Sequence, residues 1–210
     1  LDRASSSYVK DGKIYFCMSR GEEDSRSHIA VFSSALLPLQ KIFFSGIPDN
    51  EESRRFVARK MVVGKNGLLY VVGASSLAVK VFDPQGLFLR EIRPRDEVLG
   101  VAEEAGIVSL TKDDEGRLYF LSEGRGRIFV YDQDENFLFK FGKKGGGSGK
   151  LDRPRGIAVD RERGRIVIAD YLRHSVSVYS DDGDYLFEFG GKGVGRGWFN
   201  YPSDVVIDGR

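Results

Sequence analysis

The chain has 210 residues, of which 41% are apolar, 12% aromatic and 30% charged, the balance of a soluble globular protein and unlike that of a disordered one. No window approaches the ~18 consecutive apolar residues of a membrane-spanning helix, and residues 1–10 lack the charged start and apolar run of a targeting segment. With 32 Lys and Arg against 31 Asp and Glu, net charge selects no class of partner until its distribution is known.

Four times along the chain a turn glycine precedes an apolar, strand-like run: Gly12 before 13–16, Gly67 before 68–71, Gly116 before 117–120 and Gly164 before 165–168. A second series of strands ends at Phe32, Phe82, Tyr131 and Tyr179, at intervals of 50, 49 and 48 residues. A third, ending at Ile42, Ile92, Phe141 and Phe189, follows each of these by ten residues. Three registers that stay together define a tandem repeat. Each repeat reads as four short strands, a to d. In the third, 106–110 is strand a, 117–121 strand b, 127–131 strand c and 137–141 strand d, separated by Asp- and Gly-rich turns at 113–116 and 132–136. The repeats cover 5–46, 57–93, 105–142 and 155–190, with the first strand of a fifth at 203–210, all in one domain, 1–210. Four-stranded antiparallel units in tandem predict an all-β fold, a β-propeller.

The connections between repeats differ. Segments 49–56 and 95–105 each have room for one helical turn started by an acidic cap. The last two, 141–154 and 189–202, are glycine-rich and match one another at a period of 48. The first of these has the glycine content of a phosphate-binding loop but not its pattern. The position five before Gly149 is Lys144, Leu151 stands where Ser or Thr is required, and a strand follows in place of a helix. It reads as a flexible connection.

Phe-Gly, a glycine-spaced loop, Pro154, then Gly156-Ile157-Ala158-Val159-Asp160, Ile168-Ala169-Asp170, His174 and Val176-Ser177-Val178-Tyr179 resemble the repeat of the NHL family of β-propellers. The match covers the last two repeats; the first two keep strands b, c and d but lack the Pro-Gly-Ile-Ala-Val-Asp opening. The resemblance implies a propeller, commonly six-bladed, with strand a lining a central channel. With four complete repeats, the chain is expected to be a fragment of a six-bladed ring. Strand edges left open at both ends make self-association expected.

In such a blade the a–b and c–d turns open on one face, and the b–c loops and d–a connections on the other. Summed over the repeats, the first face carries −5 and the second +5, and the last two connections alone contribute six positive units. The basic sector comprises Lys150, Arg153, Arg155, Arg173 and Arg196, with Trp198 and Tyr201 as aromatic anchors and Tyr171 and His174 nearby. Arg, Trp and Tyr dominate the energetic centres of interfaces, and loops on a rigid scaffold often bind. These residues are read as the partner-binding site of a non-catalytic scaffold that takes a protein or peptide, an acidic one. The same mixture of charge and stacking surface serves single-stranded RNA, and the resemblance adds weight to that alternative because relatives in the family bind RNA on such a face. A metal-dependent lyase or hydrolase at the central channel is a further alternative that the resemblance implies. It needs histidines and carboxylates converging there, and this chain holds two histidines, His28 and His174, and one cysteine, Cys17. The histidines read as a repeat-level structural hydrogen bond ahead of strand c, and Asp170 as a turn-satisfying side chain. No catalytic residue, metal, cofactor or membrane partner is assigned. Cys17 excludes an internal disulfide and leaves the compartment open.

Overall fold

The computed structural model describes residues 3–19, 27–49, 56–74, 77–98 and 101–208, which divide into two compact units, Leu1–Arg93 and Pro94–Arg210. In the first unit, β1 (Arg3–Lys10), β2 (Lys13–Ser19), β3 (His28–Ser33) and β4 (Pro38–Phe43) form one antiparallel sheet in chain order. A second sheet holds β5 (Ala58–Val63), β6 (Leu69–Gly73), β7 (Val79–Phe82) and β8 (Phe88–Ile92). The second unit opens with a hairpin, β9 (Arg95–Val98) and β10 (Val101–Glu104). Two more four-stranded sheets follow: β11 (Ser109–Lys112), β12 (Leu118–Ser122), β13 (Arg127–Tyr131) and β14 (Phe137–Phe141), then β15 (Pro154–Asp160), β16 (Arg165–Asp170), β17 (Ser175–Ser180) and β18 (Tyr185–Gly190). Among the described residues, no helix is long and apolar enough to cross a membrane.

The repeat is visible at the level of register. In every sheet the ladder between the third and fourth strands slips at the same place, between Val31 and Phe32, Val81 and Phe82, Val130 and Tyr131, and Val178 and Tyr179. The turn chemistry explains the slip. Asp83 Oδ1 accepts hydrogen bonds from the backbone N–H of Gln85 and Leu87, both at 2.9 Å, and Asp132 Oδ1 accepts from Asp134 at 2.9 Å and Asn136 at 2.8 Å. Ser180 Oγ takes the same place with Asp184 N–H at 3.0 Å. A short side-chain oxygen at the end of strand c therefore sets each hairpin.

Burial follows strand position. The second strands β6 and β12 are buried along their whole lengths, whereas the outermost strands β4, β8 and β18 are largely open. In the second unit, Tyr119, Leu121, Ile128, Val130 and Phe141 of one sheet and Leu151 of the connection after it cluster with Ile157, Ile166, Ile168 and Tyr179 of the next. This sheet-on-sheet burial of apolar area is the dominant stabilising contribution. The equivalent core of the first unit includes Cys17, whose thiol burial pushes up to about 11, so it remains a protonated packing group.

The connections depart from expectation. Segment 95–105 forms the hairpin β9–β10 instead of a helical turn, because strands c and d of the following sheet reach it through charge. Asp96, nearly buried, receives Arg127 Nε at 3.2 Å and Lys140 Nζ at 2.7 Å, and Arg125 pairs with Glu103. The expected turn at 49–56 falls mainly on residues 50–55, outside the described residues. Residues 202–208 run past Gly156 without ladder bonds, so close that a Cβ on Gly156 would lie 2.6 Å from Asp204 Cα; residues 209–210 are outside the described set.

Candidate partner-binding surface

The site is built around Asp170, the fully buried last residue of β16. Its Oδ2 accepts the Asp152 N–H at 2.7 Å, and its Oδ1 accepts those of Arg153 at 2.9 Å and Arg173 at 3.2 Å. The Arg153 carbonyl in turn accepts the Tyr171 N–H at 3.0 Å. One carboxylate thus ties the connection that precedes β15 to the turn between β16 and β17. This settles locally that a d–a connection and a b–c turn share a face, and charge-assisted bonds of this kind are stronger than neutral ones.

Arg153, just before β15, and Arg155, its second residue, share one carboxylate, that of Glu123, which follows β12. Arg153 Nε lies 2.5 Å from Glu123 Oε1, and Arg155 Nε 3.3 Å from Oε2. The Glu123 hydrogen bond and charge hold the Arg153 guanidinium above its ordinary pKa. The Tyr171 ring lies beneath both arginines, 5.8 Å from the Arg153 guanidinium and 5.5 Å from that of Arg155, within cation–π range. Tyr171 stacks on Tyr201 at 4.8 Å, and Tyr201 on His174 at 4.4 Å. His174 Nδ1 accepts the Tyr201 N–H at 3.2 Å, so the ring there presents its unprotonated nitrogen. The result is a continuous ribbon: Glu123, Arg153 and Arg155, Tyr171, Tyr201, His174.

The two glycine-rich connections keep one backbone design. Leu151 N–H bonds Lys143 O at 2.8 Å, Gly145 N–H bonds Leu151 O at 3.0 Å and Lys150 N–H bonds Gly147 O at 3.0 Å. Forty-eight residues later, Phe199 bonds Gly191 at 2.9 Å, Gly193 bonds Phe199 at 3.2 Å and Trp198 bonds Gly195 at 3.2 Å. Gly142 shows why glycine is required: at φ +82°, its Cβ would fall 2.6 Å from Gly126 O.

Of the residues expected from sequence, Arg153, Arg155 and Tyr201 come together, with Tyr171 and His174. Lys150 and Arg196 are exposed on the two glycine loops, and Trp198 folds over the glycines of its own loop. Among the described residues, no hydrogen bond, ion pair or ring contact joins these three to the ribbon. Arg173 is largely covered and bound twice: its NH2 meets Glu188 Oε1 at 2.8 Å and Oε2 at 2.6 Å, and its NH1 donates to Gly146 O. It fastens the glycine loop to strand β18. The histidines are not equivalent. His28 is the first residue of β3, opposite Met18, with its ring 5.2 Å from that of Phe43; the register matches it to Ser175, opposite Asp170. His174 instead occupies the left-handed turn position held by Gly126 one repeat earlier, at φ 55° and 57°. Sequence reasoning missed Glu123 and Glu188 as partners. The signal available for Glu123 was the period, which places it one repeat before Tyr171 as Arg153 stands one repeat before Tyr201. Among the described residues, no three His, Cys, Asp or Glu side chains converge as a metal site.

The stretch that carries Asp170, Arg153 and Arg155 is also where a known family is matched: residues 151–179 fit the model of the NHL repeat. The match spans β15, β16 and most of β17, with the connection before them. It runs from the buried Leu151 through the Asp170 anchor to Tyr179, so the NHL pattern coincides with the bonds that fasten one blade to the connection before it. By overall structure the chain is a β-propeller. It is similar to a protein of unknown function from Bacteroides thetaiotaomicron, with a TM-score of 0.71 at 15% identity over 99% of this chain and 55% of that one. A periplasmic gluconolactonase of Pseudomonas aeruginosa gives 0.60 at 16% identity over 97% and 56%. A catalytically inactive virginiamycin B lyase from Staphylococcus aureus, solved with quinupristin, gives 0.61 at 13% over 90% and 55%. The chain therefore spans a little over half the length of these structures. No curated protein matches it by sequence.

Proposed function

We propose that the NHL blade and its flanking connections form the docking face of a non-catalytic binding scaffold for an acidic protein or peptide. The observation that carries this reading is the Arg153–Arg155–Tyr171–Tyr201 ribbon. Two guanidiniums are braced on one ring, a second ring extends the surface, and the backbone beneath is held by the buried Asp170 carboxylate. Preorganised Arg and Tyr side chains lose little freedom on binding, which is the property of interface anchors. The exposed Trp198 and Arg196, on the adjoining connection, extend the same chemistry. The lactonase and lyase share the fold with this chain, and fold alone does not assign a reaction.

The test is an immobilised array of acidic, neutral and basic peptides, probed with the wild-type chain and with Arg153→Glu plus Arg155→Glu. Retention on the acidic peptides that is lost in the double variant is the expected result. Retention independent of the arginines, or no retention at all, defeats the reading. A labelled single-stranded RNA run at two salt concentrations separates the other chemistry, because phosphate binding loses log affinity linearly with log salt.

A further inference from the structure

We infer that the Arg153–Arg155 pair is a carboxylate-binding subsite, and that Glu123 is its resident stand-in ligand. A partner's acidic group would bind by taking the place that Glu123 now holds. The inference rests on the docking reading above and names the group that docks.

The geometry of Glu123 is that of an incomplete ligand. It satisfies Arg153 Nε at 2.5 Å, but Arg155 Nε, though 3.3 Å from its second oxygen and buried, has no hydrogen bond. The terminal NH2 groups of both arginines have no partner among the described residues, so most of the donors of two planar forks remain open. Arginine recognises a carboxylate best through two parallel bonds from one fork, and Glu123 makes no such pair with either residue. The site is also within reach of solvent, with the Arg153 and Arg155 side chains 43% and 38% exposed and that of Glu123 20% exposed. The Tyr171 ring lies within cation–π range of both guanidiniums, a support that does not depend on Glu123. A carboxylate is favoured over a nucleic-acid backbone by the surroundings. Arg153, Arg173 and Lys144 are already paired with Glu123, Glu188 and Asp152, so a continuous chain of phosphates laid along these cations would meet three carboxylates, whereas a single carboxylate needs to displace only Glu123.

The experiment measures Kd by fluorescence anisotropy for labelled deca-glutamate, in C-terminally amidated and free-acid forms. The wild-type chain is compared with Glu123→Gln, Arg155→Gln and the double variant. Glu123→Gln removes the competing charge and is expected to bind about threefold to fivefold tighter, the size of a partly exposed ion pair. The gain should vanish when Arg155→Gln is added. Equal tightening for both peptide forms assigns the site to acidic side chains, and tightening confined to the free acid assigns it to a chain-terminal carboxylate. If the wild type binds but Glu123→Gln binds equally or more weakly, or its gain survives loss of Arg155, the stand-in idea falls while the docking reading stands. If neither protein binds either peptide, both fall. A labelled oligouridylate that gains more from Glu123→Gln than the peptides do also overturns the carboxylate assignment.

Discussion

Positions 123 and 153 correspond, one repeat on, to positions 171 and 201, and nature has joined the two pairs in different ways. The first is an ion pair, Glu123 to Arg153, and the second a ring stack, Tyr171 on Tyr201 at 4.8 Å. The glycine loops before Arg153 and Tyr201 share three backbone hydrogen bonds, and the chains part only after them: Tyr201 stands at φ 55° and bonds His174 Nδ1, whereas the Arg153 N–H goes to Asp170. The comparison teaches that the repeat conserves a geometric slot, where a b–c turn meets the following connection, and leaves its chemistry free. Because the slots adjoin, the ionic one and the aromatic one merge into a single ribbon, and Tyr171 serves both, stacking on Tyr201 and supporting two guanidiniums. The mixed character of the surface is a consequence of repetition with variation.

The largest test of the shared slot is its anchor. Asp170 receives three backbone N–H groups, whereas Ser122, its counterpart one repeat earlier, receives only Arg125 N–H at 3.4 Å. Asp170→Ala removes the acceptor of three part-buried backbone donors and is expected to destabilise the second unit by roughly 3 kcal/mol, against less than about 1 kcal/mol for Ser122→Ala. Urea unfolding followed by near-ultraviolet circular dichroism gives both values, and equal losses would show that the slots are not anchored differently. A second contrast lies in the loops. Leu151 is fully buried between two blades, while its counterpart Phe199 is only partly covered. Leu151→Ala is expected to cost about 3 kcal/mol through lost transfer and a cavity, and Phe199→Ala less than half of that despite its larger side chain.

Much of this was legible in the residues. Strands c and d of the third repeat form over the expected residues, 127–131 and 137–141, because alternation and the Asp132 turn fix both ends. Strand a begins at Ser109 rather than at residue 106, although the Val108 N–H before it already bonds Leu121 O at 2.9 Å. The basic sector was legible as a count of charges, but its pairing was not. Glu123 and Arg153 are 30 residues apart, and Arg173 meets Glu188 on a strand whose side chains read as blade packing. Net charge on a face adds these groups without revealing that they neutralise one another. The hairpin at 95–104 was hidden for a related reason. Its first strand, Arg95-Asp96-Glu97-Val98, lacks an apolar face, and what holds it is a carboxylate that finds its cations on the neighbouring sheet.

That hairpin offers the third and smallest contrast, a connection held by titratable charge beside connections held by backbone bonds. Burial alone would raise the Asp96 pKa. The hydrogen bonds from Lys140 and Arg127, together with their positive charges, outweigh it and hold the carboxyl below its ordinary value. A carboxyl depressed in the folded state contributes stability that is complete above its unfolded pKa, near ~3.9, and is lost as pH falls through the lower folded value. Protection of the β9–β10 amides in hydrogen exchange is therefore expected to be constant from neutral pH down to about 4 and to weaken below it, after correction for the intrinsic exchange rate. Asp96→Asn should lower that protection by about 1 kcal/mol at neutral pH, because Arg127 and Lys140 are partly exposed and recover solvation, and should flatten the acid dependence. The glycine loop at 191–199, whose three backbone bonds carry no titrating group, should show no corresponding step. A step of equal size in both regions would trace acid lability to the whole unit and remove the distinction between charge-held and backbone-held connections.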